Sequence, residues 1–554
     1  MRSLLLLPLI LIIPLGIVLA LSGSATEKKP DFIFINRGDV TTLDPKGMSW
    51  MQDIRVAYAL WEGLYLLDPV TIEAKPGAAE RVDVSDDKKI WTFHLRQDGK
   101  WSNGDPVTAH DFVFAWKRAL DDPGEYTYLL RCIKGAGPYT DAVAAGTKAD
   151  FATVGVEIID PMTLRVTLDR PVVYFADLCA FPPMFPLHAA SMEKYKRPAD
   201  PNTGVVRYKP EFTRNKPLVT NGPYMLTKWE YKKRLRMEKN PHYWDIANVK
   251  SDIIEQVSAE DTLPAFLMYD TGTVDWVAEV SGEIASELYE KSKQGERSDL
   301  HVFPSFGTYY YSFNCNEKLP NGQKNPFADV RVRRALSMGF DKRVIVENVT
   351  RMGEQPAHTY IPRGVFKDYE SPQGATFDIA GAKKLLAEAG YPDGKGFPTV
   401  TLLFNTGAHH GQVGQSVVNQ WRTNLNINVV LEGVEVKVFR QKLRGKDYSI
   451  ARASWFGDYN DPSTFTDKYL SVSENNNAGW LNKEYDALCA AAADETDPAK
   501  RFRLFEQAEQ LLLNEAPILP VYYYVNATLF RGNVKGIPLN ARNMFNFKSF
   551  HVER

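Results

Sequence analysis

The chain has 554 residues, which is too long for one compact core and predicts two or three domains. Apolar residues make up 44% of the chain and charged residues 24%, as in ordinary globular proteins. The formal net charge of −2 excludes the basic excess typical of nucleic-acid-binding proteins and provides no acidic field that would steer cations.

The N-terminus predicts export. Arg2 precedes an apolar run over residues 4–21, and small residues follow as far as Ala25. This order is typical of a signal peptide, so we predict that residues 1–25 form a signal peptide or an N-terminal anchor. The run is close to the shortest bilayer span, about 17 residues, so an uncleaved membrane tether remains an alternative. No cysteine follows the run, which excludes a lipid-anchored form, and the rest of the chain is expected in an extracytoplasmic, periplasmic location.

Strand and helix patterns alternate from residue 31 onward. Trp91 and Phe93 alternate with polar residues and predict a half-buried strand, and Thr108 with Asp111 predicts the capped start of a helix. Further predicted strands are 163–168, 221–230, 399–405, 427–435 and 518–530, and further predicted helices are 329–340, 377–394, 415–425 and 497–517. Residues 194–217 are rich in Pro, Arg, Asn and Lys and predict a long surface loop. These patterns indicate α/β domains with interleaved segments.

The four cysteines are Cys132, Cys179, Cys315 and Cys489. None forms a CxxC motif, and no histidine lies at zinc-ligand spacing from them. Because an exported protein can form disulfides, Cys132 with Cys179 is one candidate pair. Buried free thiols are an equally open alternative.

Motifs for hydrolysis, metal binding and cofactor binding are missing from the sequence. No GxSxG, HExxH or Walker motif occurs. Asp458 and Asp461 would be the acid pair of a secreted hydrolase, but their spacing in a proline-containing turn does not make them face each other. The run DYNDPST resembles a calcium loop without its glycine and final glutamate. We therefore expect no catalytic residue, no metal and no cofactor.

Two tyrosine-rich runs favour binding instead. TYYYSFN at 308–314 and VYYYVN at 521–526 supply rigid amphipathic side chains with hydroxyl groups. In a strand, alternation would place about half of each run in the core and the rest in water or a cleft. Tyr310 and Tyr523 are the candidates for ligand contact.

A set of motifs in fixed order resembles the extracytoplasmic oligopeptide-binding proteins that serve ABC importers. The motifs are TLDP (42–45), WEGLY (61–65), the run 91–123, NGPY (221–224), KNPHYW (239–244), NPFADVRVRRAL (325–336), WFGDYNDPSTF (455–465) and PVYYYVNA (520–527). The likeness covers nearly all of the chain after residue 30.

The resemblance implies an α/β fold, a two-lobed periplasmic-binding-protein clamshell of mixed sheets with an additional third domain. Lobe I would comprise 26–61, 185–306 and 525–554, the extra domain 62–184, and lobe III 307–524. Two chain crossings between the lobes would form the hinge around a ligand.

The resemblance also implies site residues. Asp458 of the DYN(D/E)P motif would bind the peptide α-ammonium, and Arg452 and His410 would meet the carboxylate. The peptide backbone would add as a strand between Ser49–Met51 and Ala453–Phe456, which includes Trp455 and Phe456.

The sequence departs from relatives at several of these positions. Thr350 replaces a lysine, which leaves the preferred peptide length open. Val436 replaces a pocket tryptophan, so a wider pocket is expected. Gly307 and Phe456 stand where some members have a disulfide, and Ser312 replaces an acidic pocket residue.

These inferences predict a non-enzymatic, monomeric receptor that delivers oligopeptides to the permease and ATPase of an ABC importer and binds no nucleic acid. The alternatives are a receptor for another amine-bearing solute, such as a dipeptide, muropeptide or nickel chelate, a membrane-tethered sensor or chaperone, and the secreted hydrolase that uses Asp458 and Asp461.

Overall fold

The structure is a computed structural model that describes residues 27–36, 38–214 and 218–554. The predicted signal peptide or anchor at residues 1–25 lies outside the described residues. Within the described part of the chain, no helix is long and apolar enough to cross a membrane.

The strands and helices alternate along the chain. The strands are β1 Phe32–Ile35, β2 Tyr65–Leu67, β3 Ala74–Pro76, β4 Ala79–Val84, β5 Ile90–Leu95, β6 Val156–Asp160, β7 Thr163–Thr167, β8 Tyr224–Glu230, β9 Arg234–Lys239, β10 Ile253–Val257, β11 Trp276–Val277, β12 Leu300–Phe313, β13 Gln355–Pro356, β14 Val400–Asn405, β15 Val429–Val434, β16 Ile450–Phe456, β17 Ile518–Phe530, β18 Val534–Lys535 and β19 His551–Val552. The helices are α1 Met51–Leu60, α2 Ala109–Asp121, α3 Ala136–Ala144, α4 Phe175–Leu178, α5 Ala189–Met192, α6 Thr262–Asp270, α7 Gly282–Lys293, α8 Val330–Met338, α9 Arg343–Ile345, α10 Ile379–Glu388, α11 His410–Leu425, α12 Val436–Arg444, α13 Ser463–Thr466, α14 Lys483–Asp494 and α15 Pro498–Glu515.

Local sequence signals account for several helix starts. Helix α2 begins after Thr108, whose side chain and that of Asp111 form the predicted capping box. Helices α10 and α15 begin after Asp378 and Asp497, whose carboxylates cap backbone N–H groups. Helix α11 begins at His410, five residues before the predicted start of 415, because glycines in its first turns lower helix propensity without preventing a helix.

One large mixed sheet runs through the molecule in the order β15-β14-β16-β12-β17-β11-β1-β10-β9-β8. The predicted βαβ unit is confirmed, since β14 and β15 pair in parallel on either side of α11. Strands β12 and β17 pair along most of their length, and their register shifts between Pro304 and Thr308. Strands β12 and β17, the two longest, therefore join the two halves of the sheet, and their pairing is irregular at this shift.

Separate hydrophobic cores divide the fold into a two-lobed clamshell with an additional domain. Strands β1 and β8–β11 pack with the C-terminal segment, and we call this part lobe I. The extra domain is the four-stranded sheet β4-β5-β7-β6 with helices α2–α4 and the turns between them. It shares one continuous core with lobe I. Strands β14–β16 and helices α8–α15 surround other cores and form lobe III.

Three sequence motifs meet at one buried residue, Glu62 of WEGLY. Asn221 of NGPY accepts from the Glu62 N–H at 3.0 Å and donates to the Glu62 carbonyl at 2.9 Å. Tyr243 and Trp244 of KNPHYW donate to the Glu62 carboxylate at 2.6 Å and 2.8 Å. Burial raises the pKa of Glu62 to about 7, and these donors oppose the rise. The motifs thus fasten the segment that follows α1 to the segments before β8 and after β9 rather than form a site.

Tyrosines of β12 differ from the sequence prediction. We expected part of the run to face water or a cleft, but Tyr309, Tyr310 and Tyr311 are each at most 1% exposed. The reason is that β12 is a central strand between β16 and β17 and both of its faces are covered.

The candidate disulfide between Cys132 and Cys179 is not formed. All four cysteines are free thiols, and Cys179 is fully buried. The Cys132 thiol instead donates to the carbonyl of Leu129 at 3.1 Å in its own turn. The alternative of free thiols is therefore the one the structure supports.

Replacement of Asn221 tests the junction at Glu62. We predict that Asn221→Ala lowers the free energy of unfolding by about 2–4 kcal/mol, because a buried N–H and a buried carbonyl lose their partners. Thermal unfolding followed by circular dichroism measures the change, with the exposed Asn533→Ala as the control. Equal melting temperatures of the two variants would contradict the proposed importance of the junction.

Candidate functional site

A cavity of about 600 Å³ lies between the lobes. Its lining residues come from all three parts of the fold and include Ser49, Met51, Tyr126, His410, Phe456, Asp458, Tyr522, Tyr524 and Arg542. This volume is large enough for a small organic ligand. The cavity is the candidate site because it brings together residues that are distant in sequence.

Asp458 is held at the cavity wall by hydroxyl groups. Tyr126 donates to one carboxylate oxygen at 3.0 Å, and Tyr128 donates to the other at 3.1 Å. Both tyrosines belong to the extra domain, whereas Asp458 follows β16 of lobe III. Burial raises the pKa of Asp458 above its usual value, although the two hydroxyls oppose the rise. Among the described residues, no lysine or arginine nitrogen lies within ion-pair distance of this carboxylate.

Asp461 differs from Asp458 in every contact. Its carboxylate pairs with the Arg501 guanidinium at 2.8 Å inside lobe III, and both side chains are at most 5% exposed. It also accepts from the backbone N–H of Ser463 at 3.0 Å. Asp461 does not line the cavity. The structure therefore does not bring the two aspartates together as the acid pair that a hydrolase requires.

Strand β16 offers an open edge beside Asp458. Its residues from Ile450 to Phe456 pair antiparallel with β12 on one side. On the other side, β14 pairs only with Ile450 and Ala451. In the described part of the chain, no strand covers the outer edge from Arg452 to Phe456. An edge of this kind can accept another strand through backbone hydrogen bonds.

Trp455 and Phe456 flank this edge on opposite faces of β16. The Trp455 indole donates to the carbonyl of Thr464 at 2.6 Å and packs under the Lys468 ammonium, 4.5 Å from the ring centre. The Phe456 ring is 48% exposed, lines the cavity and lies 4.8 Å from the ring of Tyr524. Phe456 thus forms cavity wall, while Trp455 supports the strand.

Arg452 lies behind the cavity wall at the other end of the strand. Its guanidinium donates to the hydroxyl of Tyr524 at 2.8 Å and lies 5.0 Å from the ring centre of Tyr309. Its Nε is buried without a hydrogen-bond partner. Among the described residues, no carboxylate lies within ion-pair distance of this guanidinium. An arginine that is even partly buried is normally paired, so this charge lacks its usual partner among the described residues.

His410 lies next to Arg452 at the start of α11. Its ring is 5.6 Å from that of Tyr309, and it lines the cavity. Burial, together with the nearby charge of Arg452, lowers the pKa of His410 from 6.5 to about 3. The imidazole is therefore neutral near pH 7.

Ser49 and Met51 line the cavity from lobe I, at and just before the start of α1. Phe456 lines the same cavity from lobe III. Trp50, between Ser49 and Met51, lies 5.9 Å from the Arg440 guanidinium of α12, which is a contact between lobe I and lobe III.

Tyr310 and Tyr523 are corrected as ligand contacts. Tyr310 is 1% exposed and packs on Tyr360 in a core of lobe III. The Tyr523 hydroxyl accepts from the backbone N–H of Thr359 at 3.2 Å. Neither lines the cavity. Tyr522 and Tyr524, the neighbours of Tyr523 in β17, do line the cavity, because alternate residues of a strand point to opposite faces.

The structure shows the surroundings of the residues at which the sequence departs from relatives. A β-carbon at Gly307 would approach the Phe456 ring to 2.4 Å, so these partners fit each other without a disulfide. Thr350 lines the cavity, and Val436 at the start of α12 is 41% exposed. Ser312 is buried and lies 3.2 Å from the hydroxyl of Tyr448.

The sequence did not predict Tyr126, Tyr128, Tyr522, Tyr524 and Arg542 as site residues. Tyr126 and Tyr128 lie in a short turn of the extra domain, more than 300 positions before Asp458. No motif joins them to it. The alternation of β17 was the one usable signal, because it links Tyr522 and Tyr524 to the same face.

The sequence and the fold are similar to those of known proteins. Residues 73–477 match the family model for bacterial extracellular solute-binding proteins, family 5. The periplasmic oligopeptide-binding protein OppA of Salmonella typhimurium is 34% identical over 525 residues, which are 93% of this chain and 91% of that protein.

Two solved structures are similar over nearly the whole chain. The Escherichia coli murein tripeptide-binding protein MppA has a TM-score of 0.75 and 31% identity, covering 95% of this chain and 99% of that one. The Haemophilus influenzae OppA complex with the peptide RPPGFSPFR has a TM-score of 0.73 and 30% identity, with the same coverage of 95% and 99%.

Titration of His410 tests the electrostatics of the cavity. Because its folded pKa lies below its unfolded value, the neutral ring contributes stability above pH 6.5, and this contribution is lost as the pH falls toward about 3. We predict that the His410 signal in a histidine NMR titration stays unchanged from pH 8 to about 5. Between pH 8 and about 5, the free energy of unfolding of His410→Gln should depend less steeply on pH than that of the wild type. A His410 midpoint near 6.5 would contradict the assignment.

Proposed function

Since the chain belongs to family 5 of the bacterial extracellular solute-binding proteins, we propose that it is an extracytoplasmic receptor that captures oligopeptides between its lobes and delivers them to an ABC importer. The observation that carries this proposal is the pair of opposite charges, Asp458 and Arg452, placed along one open strand edge with no counter-charge in ion-pair contact among the residues that the structure describes. A peptide supplies both missing charges and the backbone between them.

Asp458 takes the peptide's α-ammonium in this proposal. An ammonium carries N–H donors for both carboxylate oxygens, and such charge-assisted hydrogen bonds are about twice as strong as neutral ones. The hydroxyls of Tyr126 and Tyr128 hold the carboxylate in place without neutralising it. The site thus offers both carboxylate oxygens to a cation, and an arriving cation would favour the charged form of Asp458, which burial disfavours.

The outer edge of β16 takes the peptide backbone. Backbone N–H and C=O groups are the same in every peptide, so this contact supplies affinity without reading side chains. The peptide side chains then project toward Ser49 and Met51 or into the remaining cavity. Water in that space can satisfy varied polar groups at small entropic cost.

Arg452 takes the peptide's carboxylate, with His410 beside it. The strand advances about 13 Å from Arg452 to Phe456 at about 3.3 Å per residue, which is close to the length of an extended peptide of four residues. We therefore propose peptides of about three to five residues as the preferred ligands. The arriving carboxylate would also favour the protonated form of His410.

The lobes would close on the ligand about strands β12 and β17. We propose the hinge at their register shift between Pro304 and Thr308. Lobe I would then comprise 26–61, 185–306 and 525–554, the extra domain 62–184, and lobe III 307–524. Closure follows if the ligand binds the closed form more tightly than the open one. The closed monomer would then meet the permease, which acts with its ATPase.

Another amine-bearing solute is the second candidate. The similarity to a murein tripeptide-binding protein favours a peptide with unusual residues rather than a different chemical class. The secreted hydrolase is disfavoured because Asp461 is engaged with Arg501 and does not line the cavity.

Removal of the Asp458 carboxylate should abolish most of the binding. We predict that Asp458→Ala weakens a tripeptide by roughly two to three decades, because one partner of a buried charge pair is lost. N-acetylation of the same tripeptide should weaken wild-type binding by a similar factor. Isothermal titration calorimetry measures both affinities, and unchanged affinity in either case would contradict the role of Asp458.

Asp461→Ala is the matched control for that experiment. It should leave the peptide affinity within a few-fold and lower the free energy of unfolding by about 3–5 kcal/mol, because Arg501 loses its buried partner. Loss of affinity without loss of stability would instead place Asp461 in the site.

Amidation of the peptide's C-terminus tests Arg452. For the wild type, a C-terminal amide should bind about tenfold or more weakly than the free acid, because the guanidinium regains no counter-charge. In Arg452→Gln, acid and amide should bind equally. This double comparison isolates the pairwise interaction. An equal effect of amidation in both proteins would assign the carboxylate to another residue.

A further inference from the structure

Arg542 lies next to Asp458 and forms hydrogen bonds to two other parts of the fold. Its Nη1 donates to the two carboxylate oxygens of Asp177 at 2.7 Å and 3.0 Å. Its Nη2 donates to the backbone carbonyl of Asp458 at 2.6 Å. The side chains of Arg542 and Asp177 are 2% and 7% exposed. Arg542 belongs to the C-terminal segment of lobe I, Asp177 to helix α4 of the extra domain, and Asp458 to lobe III.

Asp177 makes a second contact with lobe III. One of its oxygens accepts from the backbone N–H of Asn460 at 3.1 Å. Beside it, the ring of Tyr174 stacks on that of Tyr459 at 4.3 Å with an interplanar angle of 9°. The loop 458–460 is therefore held at one backbone carbonyl by Arg542, at one backbone N–H by Asp177, and at one ring by Tyr174.

These contacts exist only while lobe III lies against the other two parts. The guanidinium and the carboxylate are deeply buried, so their desolvation must be offset by all of their hydrogen bonds together. When lobe III moves away, Arg542 loses its bond to Asp458 and Asp177 loses its bond to Asn460. The pair then stands at a newly exposed surface, where water weakens its attraction.

We propose that Arg542 and Asp177 form a clasp that couples lobe closure to the assembly of the ammonium site. The inference rests on the proposed function and adds positioning residues to it. Arg542 and Asp177 fix the backbone on either side of Tyr459, so the Asp458 carboxylate reaches Tyr126 and Tyr128 only in the closed arrangement. Ligand binding and clasp formation stabilise the same state, and each therefore strengthens the other.

Replacement of either partner, with a matched pair as control, tests the clasp in the full-length exported protein. Arg542→Gln and Asp177→Asn should each weaken a tripeptide by about 30-fold or more, because each leaves a buried charge without its partner. Arg542→Lys keeps one charged donor and should recover part of that loss. The compaction of the protein on adding tripeptide, measured by small-angle X-ray scattering, should decrease in the same order.

Arg118→Gln supplies the matched control. Arg118 binds both oxygens of Asp44 at 2.8 Å and 2.5 Å, is 6% exposed, and contacts no residue of lobe III through this pair. Its replacement should lower the melting temperature but leave tripeptide affinity and compaction unchanged.

The outcomes separate the clasp from the proposed function. If the wild type binds no peptide, the proposed function fails. If it binds tripeptide and both Arg542→Gln and Asp177→Asn keep its affinity and compaction, the clasp is overturned while the function stands. An equal loss of affinity in Arg118→Gln would also overturn the clasp, because the effect would then follow from general destabilisation.

Discussion

Two partly buried groups of opposite charge, neither with an ionic partner among the described residues, organise the cleft. Asp458 is held by tyrosine hydroxyls at one end, and Arg452 by a tyrosine hydroxyl and a tyrosine ring at the other. Burial disfavours both charged forms unless a counter-charge arrives. Hydroxyl groups orient the two side chains without neutralising them. In the proposed function the ligand supplies the two counter-charges, separated by the length of a short chain.

The large sheet supplies what lies between those charges. Strand β14 pairs with β16 only at Ile450 and Ala451, and in the described part of the chain no strand pairs with the remaining outer edge of β16. The same sheet continues through β12 and β17 into lobe I. In the proposed function, a ligand strand on this edge would be held by lobe III, and closure would bring Ser49, Met51 and the extra-domain tyrosines against it. Affinity for backbone and termini, rather than for side chains, follows from this arrangement.

Much of the fold was predictable because its signals are local. Caps such as Thr108 and Asp497 marked helix starts, and the parallel pairing around α11 followed from the strand-helix-strand pattern. The predictions failed where tertiary context decides burial. Tyr523 does not line the cavity although its neighbours Tyr522 and Tyr524 do, and Tyr310 is buried because β12 is a central strand with both faces covered. The prediction of an ammonium-binding role for Asp458 came from family resemblance. Its hydrogen-bond partners Tyr126 and Tyr128 lie in a remote segment, and no sequence signal joins them to Asp458. The same is true of Asp177 and Arg542.

Identification of the molecules that co-purify with the protein tests the central claim most directly. The protein should be purified without denaturation, its bound species released by acid, and those species sequenced by tandem mass spectrometry. The account predicts a mixture of short peptides, about three to five residues long, with free α-amino and α-carboxyl ends and varied side chains. A single non-peptide compound, or peptides with blocked amino ends, would contradict it.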